Sequence, residues 1–125
     1  MQIIPTKKFN DDVEFYIHKK KFLKIRADIK TVTDELEKGN FVGVKLEGLN
    51  LPENISVYKV RIANSSANVG KSHGFRLIYY LAIADEIYLL AIYSKKDDIR
   101  VPSDKQIEFL IRAVLEETKP KEEDA

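Results

Sequence analysis

Apolar residues recur along this 125-residue chain with two different spacings, and the spacing changes from segment to segment. Met1 to Ile4 is short and apolar and stops at Pro5, which predicts a first strand. Thr6 is placed to cap a helix in which Phe9, Val13, Tyr16 and Ile17 recur at helical spacing. Lys19, Lys20 and Lys21 break that pattern and predict a tight turn. Phe22, Ile25, Ile29, Val32 and Leu36 then form a second helical stripe, with Gly39-Asn40 as its stop. Two antiparallel helices result, and each apolar stripe needs a partner to cover it.

Strands supply that partner. From Ser56 to Ala63, Val57, Lys59 and Arg61 alternate with Tyr58, Val60 and Ile62, so both basic residues share one face. Phe75–Ile83 and Ile87–Tyr93 predict two more strands, with Asp85-Glu86 at their turn. Tyr79 and Tyr80 fall on opposite faces, which predicts one in the core and one exposed, open to base stacking. The polar, glycine-punctuated stretch between Ala63 and Phe75 is expected to be a long hairpin loop. Beyond it, Ile107, Leu110, Ile111 and Val114 predict a last helix with Asp104 as its N-cap, serving either the core or an interface. The expected fold is α+β: an N-terminal strand and helical hairpin packed on a mostly antiparallel sheet of about four strands, plus a C-terminal helix. Residues 1–117 make one domain, and 118–125 an acidic tail expected to be disordered.

Composition narrows the chemistry. Without cysteine the chain has no disulfide, no thiolate metal site and no thiol nucleophile. His18 and His73 are the only histidines, too few for a histidine-built zinc site, so no metal and no cofactor is expected. Of the two, His18 is expected in solvent at a helix end. The start MQIIPTKKFN lacks an apolar signal core, and no apolar run nears the roughly 20 residues of a membrane span. A cytoplasmic protein with no membrane partner is expected.

The formal net charge is only +1, but its distribution is uneven. The last ten residues carry five acids against two lysines, whereas residues 55–84 hold Lys59, Arg61, Lys71 and Arg76 with no Asp or Glu. Such a segment suits a polyanion; an ordinary basic fringe on a sheet is the alternative. Gly70-Lys71-Ser72 invites a nucleotide-phosphate loop, yet Ser65 stands where that motif needs glycine and a strand pattern follows where it needs a helix.

Tyr58-Lys59-Val60-Arg61, the segment Gly74-Phe75-Arg76-Leu77-Ile78-Tyr79-Tyr80 and the ending Ile92-Tyr93-Ser94-Lys95 resemble the RelE/ParE superfamily of bacterial toxins. The helical hairpin and the Gly43 to Leu49 connection fit the same plan, so the resemblance extends to about residue 112. It implies a RelE-like fold and, in the RelE/HigB-like branch, a ribosome-dependent endoribonuclease. Such a toxin cuts messenger RNA in the decoding site, touches ribosomal RNA and is held inactive by a cognate antitoxin.

Metal-free RNA cleavage needs a base for the 2′-hydroxyl, an acid for the leaving 5′-oxygen and cations for the phosphoryl charge. By resemblance, Lys59 assists proton transfer, Arg61 and Arg76 clamp the phosphate, and Lys95 protonates the leaving oxygen, with Lys96 an equal alignment. Lys71, His73, Tyr93 and Lys96 are the expected RNA contacts. Asp97 to Pro102 lacks the tyrosine that some members carry at their C-terminal end, leaving Tyr93 or His73 to substitute. A non-catalytic interaction module or a ParE-like DNA gyrase inhibitor is the alternative.

Overall fold

The computed structural model describes residues 1–82 and 85–118. Its elements are β1 (Gln2–Pro5), α1 (Lys7–His18), α2 (Ile25–Glu37), β2 (Val44–Lys45), β3 (Ser56–Ile62), β4 (Phe75–Ala82), β5 (Glu86–Ser94) and α3 (Asp104–Thr118). One five-stranded sheet runs β1-β5-β4-β3-β2, antiparallel throughout except where β1 lies parallel to β5. The α+β class expected from the sequence is present, in an arrangement consistent with a RelE-like fold. The acidic tail expected over 118–125 lies, after Thr118, outside the described residues. So does Ile83, the expected last residue of β4.

Thr6 starts α1 as expected. Its Oγ1 accepts from the Phe9 N–H at 3.3 Å, while its own N–H and hydroxyl donate to the Leu89 carbonyl, fixing the helix start to β5. The connection to α2 is longer than a tight turn through three lysines. Lys21 takes φ +60, and Phe22 precedes α2 instead of opening it, its ring stacked on Tyr16 and edge-on to Phe75. Helix α2 ends as the sequence suggests: Gly39 takes φ +86, and the N–H groups of Gly39 and Asn40 return to the carbonyls of Leu36 and Glu35.

Three other expectations change. Strand β2 brings the sheet to five strands; at two residues it is too short for alternation to reveal. Gly43, at φ +102, makes it possible, since a Cβ there would lie 2.5 Å from the Lys59 carbonyl oxygen. The N-cap of α3 is Ser103, not Asp104: Ser103 Oγ accepts from the Gln106 N–H and Gln106 Oε1 accepts from the Ser103 N–H, a reciprocal capping box. Tyr79 and Tyr80 are both fully buried. Helices α1 and α2 cover one face of the sheet and α3 the other, so the central strands meet protein on both sides. The base-stacking role considered for an exposed tyrosine in β4 therefore falls.

Buried polar groups finish the sheet edge. Beyond Pro5, β1 no longer flanks β5, and α1 side chains take its place. Asp12, 1% exposed, accepts from the Ile92 N–H at 3.1 Å, and one turn later the Tyr16 hydroxyl accepts from the Ser94 N–H at 2.7 Å. Lys8 and Arg100 balance the Asp12 charge. His18 ends α1 exposed, against Glu14. Among the described residues no helix is long and apolar enough to cross a membrane.

Candidate nucleic-acid interface

The face of the sheet that α3 covers stays closed over β4 and β5 but opens along the outer end of β3. Ile107 and Ile111 pack over Val57, Tyr80 and Tyr88. One row further, Lys59 lies opposite Ile78 on β4 and Val44 on β2. In the last row, Arg61 lies opposite Arg76, which lies opposite Tyr93. Alternation places Lys59, Arg61, Arg76 and Tyr93 on this one face, with Lys59 and Arg61 exposed and Arg76 and Tyr93 buried.

Two arginines directly across a strand pair repel unless one charge is drawn aside. Arg76 is the one drawn aside. Its Nη1 and Nη2 donate to the carbonyls of Lys71 and Ser72, both at 3.2 Å, so the guanidinium of this buried residue clasps the hairpin loop. That use is structural, and three of its five N–H donors remain for other partners.

Among the described residues, Lys59, Arg61, Lys71, Arg76, Lys95 and Lys96 form no ion pair, whereas seven other cations and His18 do. Their charge is therefore not neutralised by direct pairing. Arg61 and Lys71 also line a cleft of about 390 Å³ between α2 and the open edge of β3, where Asp28 and Glu35 form the opposite wall.

The loop from Ala63 to Gly74 is ordered by its own contacts. Asn64 and Val69 exchange backbone hydrogen bonds around a short 3-10 turn at Ser65–Ala67, and Asn64 Oδ1 accepts from the Ala67 N–H. Gly74 admits a close crossing of chains, since a Cβ there would lie 2.1 Å from the Ile62 carbonyl oxygen. Gly70-Lys71-Ser72 forms a turn that enters β4, not a helix, so it is no phosphate loop of the nucleotide kind. His73 is exposed at the loop tip with Nδ1 2.9 Å from Ser72 Oγ, and Lys71 is exposed two residues before it.

Lys95 extends the β4–β5 ladder by one bond, its N–H donating to the Gly74 carbonyl at 3.0 Å. Lys95 and Lys96 are exposed in the turn that follows. Asp97 holds this turn from below: its carboxylate accepts from the Tyr16 hydroxyl at 2.8 Å. Burial, with the Asp97 charge adding to it, pushes the Tyr16 hydroxyl above its ordinary value, so it remains a donor. Burial also raises Tyr93, against the opposing pull of Arg76, which leaves its phenol protonated near neutral pH and unsuited to act as a base.

The structure thus gathers Lys59, Arg61, Arg76 and Tyr93 on one face, joins Lys71 and His73 to it through the Arg76 clasp, and sets Lys95 beside Gly74. It leaves Tyr93 with little surface for contact with RNA. Sequence reasoning overlooked Asp28, Tyr16 and Asp97, the groups that fix the two basic loops. One signal was present: Asp28 lies three residues after Ile25 and next to Ile29, a carboxylate inside an apolar stripe. The described residues contain no group of His, Asp and Glu side chains arranged to hold a metal ion. The chain matches no protein-family model, and a search among curated proteins found no match.

Proposed function

We propose that this chain is a toxin of the RelE/HigB type, an endoribonuclease that cuts messenger RNA in the ribosomal decoding site and is silenced by a cognate antitoxin. The observation that carries this reading is the open end of one sheet face, where exposed Lys59 and Arg61 stand without counter-ions beside a loop bearing Lys71 and His73. Backbone phosphates are the ligand such a surface attracts.

In this reading the 2′-oxygen of a nucleotide loses its proton, bonds to the adjacent phosphorus and expels the 5′-oxygen. The products are a 2′,3′-cyclic phosphate and a 5′-hydroxyl. Arg61 and the free donors of Arg76 hold the phosphoryl oxygens, Lys59 assists the proton transfer, and Lys95 or Lys96 supplies the proton to the leaving oxygen. Ribosomal RNA backbone and the codon-bearing strand are the partners. Mapping messenger RNA 3′ ends after induced expression tests this: new ends clustered within codons are expected, and an unchanged map with growth arrested contradicts it.

A second reading has its own support. Arg76 already spends two donors on loop carbonyls, and Tyr93 is buried and protonated. A surface built this way suits a module that binds nucleic acid without cutting it. DNA gyrase inhibition is the non-ribonucleolytic activity that the sequence resemblance adds. Intact messenger RNA in translating ribosomes given the purified protein would favour this second reading.

A further inference from the structure

We infer that Asp28 is a positioning residue that holds the basic loop where a nucleic-acid strand meets it, an inference that rests on the nucleic-acid reading above. Asp28 lies on the packed side of α2 and is 7% exposed. Its carboxylate accepts from the Ser65 hydroxyl at 2.8 Å and from the Ser65 N–H at 3.1 Å. At the start of the same helix, the Lys24 N–H donates to Ser66 Oγ at 2.9 Å. Residues 64–69 are closed on themselves by the Asn64–Val69 bridge, so these bonds fasten a formed platform to α2. From that platform the chain passes through Lys71 and Ser72, whose carbonyls hold Arg76. A continuous run of bonds therefore leads from Asp28 to the guanidinium in the middle of the basic face.

Asp28 forms no ion pair among the described residues, although Arg61 and Lys71 line the same cleft. Its charge is satisfied by Ser65 instead. A buried carboxylate committed to hydrogen bonds fixes the loop and leaves both cations available to phosphate.

This assignment makes a prediction opposite in sign to simple electrostatics. Removing a negative charge beside a basic surface should tighten binding to RNA. If Asp28 positions the loop, Asp28→Ala weakens it instead, because alanine leaves no acceptor for the Ser65 N–H and hydroxyl and the loop loosens.

The test uses the purified full chain and an unstructured single-stranded RNA 20-mer, followed by fluorescence anisotropy. Asp28→Ala and Ser65→Ala are each expected to weaken binding by up to about tenfold, with the double variant no weaker than either alone. Faster amide exchange at Val69 should accompany the loss, marking the loosened platform. Should Asp28→Ala not fold, Ser65→Ala carries the measurement. A Lys59→Ala/Arg61→Ala protein is the control for the parent reading: binding equal to wild type there sinks both. If that control binds weakly while Asp28→Ala or Ser65→Ala binds as well as wild type or better, the positioning role is wrong and the nucleic-acid surface stands.

Discussion

The two faces of the sheet are covered to different extents, and the difference separates stability from binding. Under α1 and α2, Phe75, Leu77, Tyr79, Ile87 and Leu89 meet Tyr16, Ile25, Val32 and Leu36 in one apolar cluster. The other face is packed by α3 together with Leu46, Leu49, Leu51 and Ile55 ahead of β3. On β3 the covered row ends at Val57, and the next outward positions are Lys59 and Arg61, exposed beside buried Ile78, Arg76 and Tyr93. A fold that needed both faces closed would place apolar residues there. Lysine and arginine in those positions mark the end of the core and the start of a surface.

The largest effect should come from the closed face. Phe75 is fully buried with ring contacts to Tyr16 and Phe22 at 5.4 and 5.9 Å, so Phe75→Ala is expected to lower stability by about 3–5 kcal/mol in chemical denaturation. Alkali should act on both faces together. The hydroxyls of Tyr16, Tyr79 and Tyr80 are all raised above the ordinary value near 10, chiefly by burial. Above pH 10 the unfolded chain releases these protons before the folded one, so the stability they contribute is complete below pH 10 and lost as pH rises beyond it. Midpoints of urea unfolding should hold from neutral pH to about 9 and fall steeply above 10.

Neighbouring tyrosines sharpen the comparison further. Tyr79, on the hairpin face, donates to the Val42 carbonyl at 2.6 Å, whereas the buried hydroxyl of Tyr80, on the α3 face, has no partner among the described residues. Tyr79→Phe should cost about 0.5–1.5 kcal/mol, and Tyr80→Phe should be neutral or stabilising by about 1 kcal/mol. Equal losses from both would contradict the hydrogen-bond assignment. Smallest of all should be the effect of Lys59→Ala and Arg61→Ala on folding, within about 0.5 kcal/mol each, since both side chains are exposed and unpaired.

Periodicity made much of this fold legible. The stripes of α1 and α2, the Thr6 cap, the Gly39 stop and the alternation of β3 all appear where spacing and capping chemistry put them. What escaped was set by contacts distant in sequence. Two residues cannot display alternation, so β2 was invisible until Lys59 was seen beside Val44. Tyr80 is buried because a helix more than twenty residues later lies over it, which the strand's own pattern cannot record. The cations of the candidate site were readable from an acid-free segment, but their supports were not. Asp28 and Tyr16 reach the two basic loops across 37 and 78 positions of sequence, Asp97 within the second loop meets Tyr16 across 81, and only Asp28 left a trace, as a charge within an apolar stripe.

The claim on which the account turns is that Lys59 and Arg61 meet nucleic-acid phosphates at the open end of the sheet. Salt titration of single-stranded RNA binding measures it directly, because each phosphate contact contributes to the slope of log affinity against log salt. Replacing both residues by alanine should reduce that slope by about 1.4, close to 0.7 per cation removed, and weaken binding. A slope and an affinity unchanged from wild type, in a protein that folds normally, would contradict it.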